Sequence, residues 1–248
     1  MKRVALLVAL VVTATLLGSA PRAHAVLQLA AEVSGTTFTC VDQAACDTNA
    51  AVGFLGLGDT ATPLTVNGVD FFGSLDIASG TPGNPGPSFL NSSTLQVINT
   101  SGATRDITIA ISATNFAGPA NNFTASGSGL FFLNAGGDIT MRWFNDPQNA
   151  QGADTATDTP GTQVHTFTFV APDDNESFST NANGAISDPA LFSMTLQLDF
   201  TLDGDGRLIG RQMSLEKGLA VPEPASITLL GVGLVGLAAF RLTRRRMA

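Results

Sequence analysis

The chain has 248 residues but no tyrosine, one tryptophan, two cysteines and two histidines. Flat aromatic rings that carry a polar group commonly contact sugars, so the shortage of Tyr and Trp gives little support for a lectin-like aromatic platform. The motif G-x-S-x-G, which holds the nucleophile of many serine hydrolases, is absent. Long amphipathic helices are absent too, and no internal repeat is found.

Positive charge is scarce outside the two ends of the chain. Seven of the 12 Lys and Arg residues lie in the terminal segments, which leaves five against all 20 Asp and Glu residues. The seven are Lys2, Arg3, Arg22, Arg241, Arg244, Arg245 and Arg246. The region between the ends therefore carries a net charge of about −15. Such a surface repels nucleic acid and anionic lipid, and attracts divalent cations or basic partners, so we expect no nucleic-acid partner.

Residues 1–25 have the pattern of a secretory signal peptide. Lys2 and Arg3 form a basic start, residues 4–17 are an apolar run of 14 residues, and Ala-His-Ala precedes position 26 as a cleavage site. We expect the mature chain to begin at Val26.

Cys40 and Cys46 lie six positions apart in "CVDQAACD". An even pair in an exported chain is most simply a disulfide, and closing so short a loop stabilises the fold by about 2 kcal/mol in the chain-entropy model. A metal site or a redox pair is the alternative, although the spacing is not CxxC and no histidine is close in sequence.

Alternating apolar and polar residues predict strands through the middle of the chain. The longest such segment is 191–202, and the turn residues "DGDG" separate it from 208–215, so we expect these two segments to form a β-hairpin with one buried face and one wet face. Shorter alternations occur at 107–111 and 139–143. In "VHTFTFV" the residues His165, Phe167 and Phe169 share one face, and Asn-Gly in "VNGV" at 66–69 signals a tight turn.

Three segments rich in Gly, Pro, Asn and Asp are predicted to be loops, at 81–87, 145–160 and 171–189. Strands that bury only one of their two faces indicate antiparallel sheets. The sequence therefore predicts an all-β domain over residues 26–219, an antiparallel β-sandwich of jelly-roll or Greek-key kind, flanked by an N-terminal signal helix and a C-terminal transmembrane helix.

The end of the chain combines three features. Pro222, Glu223 and Pro224 precede 16 uncharged residues at 225–240, which would be about 24 Å long as a helix, slightly short for a bilayer core of roughly 30 Å. Arginine residues follow at Arg241, Arg244, Arg245 and Arg246. These arginines would stay cytoplasmic under the positive-inside rule, so the domain would lie outside the cytoplasm.

This three-part ending resembles the PEP-CTERM sorting signal, which exosortase reads in Gram-negative bacteria that make extracellular polysaccharide. The resemblance implies that residues 220–248 are the sorting signal. Pro222, Glu223 and Pro224 would be the recognition element, residues 225–240 a transient span of the inner membrane, and the arginines a retention tail. It implies a destination, the cell surface or extracellular matrix after C-terminal processing, and it implies no activity. A permanent anchor preceded by a chance Pro-Glu-Pro is the alternative.

Candidate chemical sites are few. His165 is the only histidine after the signal peptide, and its strand face favours a packed side chain over a general base. The "DGDG" turn with Asp199 and the acidic loop "PDDNE" at 172–176 are weak candidates for a cation site. We therefore predict no catalytic residues, no metal site and no cofactor. The predicted role is structural or binding, associated with exopolysaccharide, and the alternative is a secreted glycan-active hydrolase that uses paired carboxylates.

Overall fold

A computed structural model of the protein describes residues 26–59, 61–79, 87–188 and 191–217, the side chains at 213 and 215–217 excepted. The predicted signal peptide at 1–25 and the predicted sorting signal at 220–248 lie outside the described residues, as does most of the predicted loop at 81–87. No helix in the described ranges is long and apolar enough to cross a membrane.

The described residues form β-strands connected by turns and loops. The strands are β1 (Leu27–Val33), β2 (Thr36–Val41), β3 (Phe54–Gly56), β4 (Leu64–Val66), β5 (Val69–Phe72), β6 (Ser74–Ala78), β7 (Ser88–Asn99), β8 (Arg105–Ala117), β9 (Ala120–Phe132), β10 (Asp138–Asp146), β11 (Thr162–Val170), β12 (Ser177–Asp188), β13 (Leu191–Leu202) and β14 (Arg207–Lys217).

Two antiparallel sheets form a β-sandwich, which confirms the predicted fold class. The six-stranded sheet has the order β11-β10-β13-β8-β1-β2, and the eight-stranded sheet has the order β12-β9-β14-β7-β5-β4, with β6 beside β7 and β3. From β7 to β10 successive strands alternate between the two sheets. Such crossing connections are typical of jelly-roll sandwiches.

The core lies between the sheets and is built from the alternate residues predicted by the period-two pattern. In β8, Ile107, Ile109 and Ile111 are buried with Thr108 between them on the outer side. The single tryptophan, Trp143 in β10, is fully buried and belongs to the same apolar cluster. Burying a large apolar side chain stabilises a fold by about 1.5–3 kcal/mol, so rows of this kind hold the two sheets together.

The predicted hairpin at 191–215 is wrong. Strand β13 pairs with β8 and β10 in the six-stranded sheet, whereas β14 pairs with β7 and β9 in the other sheet. The four residues "DGDG" at 203–206 cross between the sheets, and sheets stack about 10 Å apart, a distance that four extended residues can span. A period of two does not distinguish a hairpin from a crossing, because both bury one face of each strand.

The Asn-Gly turn in "VNGV" is confirmed. Asn67 and Gly68 both have positive φ, at 46° and 76°, and Val66 pairs with Val69 across the turn. Two positive φ values in succession give the twist that a two-residue hairpin needs, and Asn followed by Gly tolerates them best.

The loop predicted at 171–189 is wrong over its C-terminal part, which forms β12. This strand lies at the edge of the eight-stranded sheet and pairs with β9 through most of its length. Its composition is polar and small because one face is open to solvent and the inward residues Thr180, Ala182 and Gly184 are only half-buried.

The loop predicted at 145–160 is confirmed beyond the first two residues, which end β10. It packs over the outer face of the six-stranded sheet, where the Gln28 side chain donates to the Ala153 carbonyl at 2.8 Å and the Gln197 side chain donates to the Ala156 carbonyl at 3.0 Å. The outward positions Thr195 and Gln197 of β13 are therefore buried. The expectation of a wet outer face on this strand is wrong at these positions, because the loop replaces water as the hydrogen-bond partner.

Glycines on the inward face of β9 leave room for neighbouring core side chains. A Cβ atom on Gly127 would lie 2.6 Å from the sulfur of Met141, which belongs to the opposite sheet. A Cβ atom on Gly129 would lie 2.8 Å from Cε1 of Phe178 and 2.9 Å from the backbone oxygen of Ile209. Real Cβ atoms do not come this close to their neighbours, so larger residues at these positions would displace core groups.

We expect Gly129→Ala to lower the free energy of unfolding by about 1–3 kcal/mol, because the added methyl group overpacks a position closed by backbone and a buried ring. Ser128→Ala is the matched control: it changes the preceding residue, which faces solvent, and should stay within about 0.5 kcal/mol of the parent protein. Chemical denaturation measures both. Equal stabilities for the two variants would contradict the close packing of the Phe178 ring over Gly129.

Candidate functional site

An extended polar surface with a concave shape lies on the outer face of β9, β12 and β14. We call it the serine-asparagine face and define it by six outward residues: Ser126, Ser128, Ser179, Asn181, Asn183 and Arg211. All are exposed except Ser126, which is half-buried. In each strand their neighbours in sequence face inward and most are small or apolar, so the period-two alternation itself sorts the hydroxyl and amide groups onto the outside.

Two adjoining depressions lie on this face. The first has a volume of about 440 Å³ and is lined by polar side chains, with Ser126, Ser179 and Asn181 along its sides. The second has a volume of about 430 Å³ and an apolar strip that includes Leu130 and Ile209, which are opposite each other in the pairing of β9 with β14. Ser128 and Arg211 line both depressions. The face therefore offers hydrogen-bonding groups beside an apolar strip.

Arg211 is held in place by a chain of hydrogen bonds. Its Nε donates to the side-chain oxygen of Asn91 at 3.0 Å, and the Asn91 amide donates to the carboxylate of Asp76 at 2.8 Å. Asn91 is 5% exposed, so this link lies largely out of water. A buried partner fixes the guanidinium of Arg211 at the boundary between the two depressions.

The serine-asparagine face is free of acids within the described strands that form it. No Asp or Glu occupies an outward position of β9 or β12, or of β14 between Arg207 and Arg211. In a region with a net charge of about −15 this absence sets the face apart from the rest of the surface.

Acidic residues gather instead on the outer face of the six-stranded sheet. Asp106, Asp138 and Asp199 line a shallow depression of about 170 Å³. Asp199 forms an ion pair with Arg142, and Asp138 accepts a hydrogen bond of 2.8 Å from the hydroxyl of Thr201. The structure thus places three carboxylates around one depression, but Asp138 and Asp199 each have a partner on their own sheet.

His165 is packed against the core edge, as the sequence analysis predicts. Its ring lies 5.0 Å from that of Trp143, and Nε2 lies 3.3 Å from the hydroxyl of Thr180 on the opposite sheet. Partial burial lowers the pKa of His165 below its ordinary value. The arrangement joins β11 to β12 across the sandwich edge, and neither depression of the serine-asparagine face includes this histidine.

Cys40 and Cys46 form the predicted disulfide, with Cα atoms 5.8 Å apart. Carboxylates shape the loop that follows it: Asp47 accepts hydrogen bonds from the backbone N–H groups of Asn49 and Gly56, and Asp42 accepts one from Gly53. These acids organise turns rather than facing one another. Farther along, the backbone N–H groups of Thr62 and Ala61 donate to the Asp59 carboxylate and lower the pKa of Asp59.

The weak cation candidates have local structural roles. At the "DGDG" crossing, the Asn99 amide donates to the carbonyls of Leu202 and Asp203, and the hydroxyl of Thr104 donates to the Asp203 carboxylate at 3.0 Å. In the "PDDNE" loop, Asp174 accepts a hydrogen bond from a backbone N–H at position 135. Within the part of the chain that the structure describes, no three His, Cys, Asp or Glu residues are grouped so that they could hold a metal ion.

The serine-asparagine face is not predicted from the sequence. The usable signal is the alternation of small residues with Ser in "ASGSG" at 125–129, and of small residues with Asn in the segment 181–185. Composition places 181–185 within the loop predicted at 171–189 and predicts no element at 125–129, because Gly, Ser and Asn are typical of turns.

The predicted sorting residues Pro222, Glu223 and Pro224, with Arg241 and the arginines at 244–246, lie outside the described residues. Comparison with known families nevertheless confirms the resemblance: residues 220–246 match the PEP-CTERM protein-sorting motif. The match covers this C-terminal segment of the chain alone. No curated protein matches the chain significantly.

Among solved structures, two similar ones are carbohydrate-binding modules. One is TmCBM61 in complex with β-1,4-galactotriose, with 8% identity, a TM-score of 0.33, and coverage of 50% of this chain and 70% of that chain. The other is the CBM22-1 xylan-binding domain of Xyn10C from Paenibacillus barcinonensis, with 11% identity, a TM-score of 0.28, and coverage of 68% and 88%. The strand pairing of the two sheets defines the fold.

The lowered pKa of His165 predicts a pH-dependent stability. Because partial burial disfavours the charged imidazole in the folded protein, the contribution of His165 is fully present above the ordinary pKa of about 6.5 and is lost as the pH falls through the lowered value. The free energy of unfolding should therefore fall more between about pH 7.5 and pH 5 for the parent protein than for His165→Gln.

The carboxylates are common to both proteins, so the difference between the two curves isolates His165, the only histidine after position 25. Denaturant titrations at several pH values measure it. Parallel curves would show that the imidazole is not desolvated.

Proposed function

We propose that this protein is exported, sorted by an exosortase, and displayed on the cell surface or in the extracellular matrix of a Gram-negative bacterium. Residues 1–25 would direct export, residues 26–219 would form the displayed domain, and residues 220–248 would hold the chain in the inner membrane until processing. The match to the PEP-CTERM motif at 220–246 is the single observation that carries this proposal. The Cys40–Cys46 disulfide supports it, because disulfides persist in oxidising compartments outside the cytoplasm.

The role of the displayed domain is structural or binding, in association with exopolysaccharide, and it is not catalytic. Two observations support this role. First, His165 packs against Trp143 and contacts the hydroxyl of Thr180. Second, the carboxylates of Asp42 and Asp47 accept backbone hydrogen bonds within their own loops. Active-site acids and bases are instead expected to converge on a cleft.

A glycan-active hydrolase with paired carboxylates is the second candidate. The depression that gathers Asp106, Asp138 and Asp199 is the observation that favours it. The two proposals differ in a simple assay: release of reducing ends from polysaccharide by the purified protein, abolished by Asp138→Asn, would favour the hydrolase. Binding without cleavage favours the display role.

The sorting proposal predicts the effect of removing the recognition element. In a host that has an exosortase, replacing Pro222, Glu223 and Pro224 together by alanine should leave the full-length protein in the inner membrane, because the enzyme needs an extended, proline-rich segment outside the bilayer. Cell fractionation and immunoblotting of the surface and membrane fractions measure the outcome.

A matched control changes a residue just outside the motif. Leu219→Ala, three residues before Pro222, should be displayed like the parent protein. Normal surface display of the triple variant would mean that Pro-Glu-Pro has no role, and the sorting proposal would fail.

A further inference from the structure

We propose that the serine-asparagine face is a binding site for a neutral polysaccharide chain, with Arg211 at its centre. The inference deepens the proposed display role, on which it rests, by naming the site and the chemical class of its ligand. It depends on three features of the face: its shape, its mixture of polar and apolar groups, and its charge.

The shape fits a chain. The two depressions of about 440 and 430 Å³ adjoin each other, since both are lined by Ser128 and Arg211. Together they form a continuous shallow trough across β12, β9 and β14. An extended polymer can occupy such a trough along its length, whereas a small molecule would remain largely exposed in it.

The chemical groups fit a sugar. A sugar ring presents hydroxyl groups around its edge and C–H groups on its faces. Ser126, Ser179 and Asn181 supply donors and acceptors to match hydroxyl groups in one depression, and Leu130 with Ile209 supplies apolar surface for C–H groups in the other. The site needs no Tyr or Trp platform, which agrees with the near absence of these residues from the sequence.

The charge of the face selects a neutral ligand. Outward positions of β9 and β12 carry no acid, and Arg211 is linked through Asn91 to the carboxylate of Asp76. Arg211 is therefore the one charged residue among the six that define the face, and Asp76 lies two hydrogen bonds away from it, while the domain as a whole is strongly acidic and repels anionic polymers. A second copy of this chain is a poorer fit, because its acidic outer face, at Asp106 and Asp138, is also concave.

Arg211 would position the polysaccharide by donating hydrogen bonds, not by attracting an opposite charge. Its Nε is occupied by Asn91, which orients the planar guanidinium at the junction of the two depressions. Hydrogen bonds from a charged donor are stronger than those between neutral groups, so this residue should contribute more to binding than any single Ser or Asn of the face.

The test is affinity electrophoresis of the full-length protein, purified in mild detergent. The gels contain a neutral probe, which is barley β-glucan, galactomannan or dextran, or the anionic probe polygalacturonate. We expect retardation by at least one neutral probe and none by polygalacturonate. Arg211→Ala should weaken the retained interaction about tenfold, as expected for the loss of a charge-assisted hydrogen bond. Asn181→Ala, at an exposed position on the outer face of β12, should weaken the interaction with the polysaccharide by a smaller factor.

Arg142→Ala is the matched control, because it removes the same charge from the outer face of the opposite sheet. It should bind like the parent protein, and thermal unfolding should show all three variants to be folded. Several outcomes would overturn the proposal: no retardation by any neutral probe, retardation by polygalacturonate alone, equal losses for Arg211→Ala and Arg142→Ala, or Arg211-dependent self-association in sedimentation without glycan binding. Binding in these gels does not require sorting, so failure here and failure of the sorting proposal are separate results.

Discussion

The close packing of core side chains against the glycines of β9 is the constraint on which the rest of the structure depends. Met141 from the opposite sheet and Phe178 from the neighbouring strand lie where only glycine leaves room, at Gly127 and Gly129. Because strand residues alternate between faces, the residue between these glycines, Ser128, points to solvent. The packing of the core and the polarity of the outer face are therefore two consequences of one alternating sequence.

The sandwich also separates charge between its two outer faces. One bears Asp106, Asp138 and Asp199 beside a loop held by glutamine side chains, and the other has no acid at the outward positions of β9 and β12. In a strongly acidic protein the second face is the one where a neutral polymer can bind without desolvating carboxylates. Such a face suits the polysaccharide-binding role that we propose.

Much of the fold could be predicted from the sequence where alternation involves large apolar residues. Strands β8 and β13 and the Asn67-Gly68 turn are of this kind, since burial and positive φ leave clear patterns. The partner of β13 could not be predicted, because a crossing between sheets and a hairpin share the same period. Strands β9 and β12 were missed because many of their inward residues are Gly and Ala, which pack without an apolar signal, and the candidate binding face lies on these strands. The resemblance to the PEP-CTERM motif could be predicted because its order of proline, apolar and arginine segments is local in sequence.

The central claim is that the β-sandwich reaches the surface without its C-terminal segment. The most direct measurement is terminal peptide mapping, with intact mass, of the protein recovered from the surface fraction of a host that has an exosortase. The protein should lack everything from about residue 225 onward. The span of 16 uncharged residues at 225–240 is short for a bilayer, so it can hold the chain until processing without being a durable anchor. Recovery of intact chains ending in Arg246-Met247-Ala248 would instead identify a permanent membrane anchor and contradict the claim.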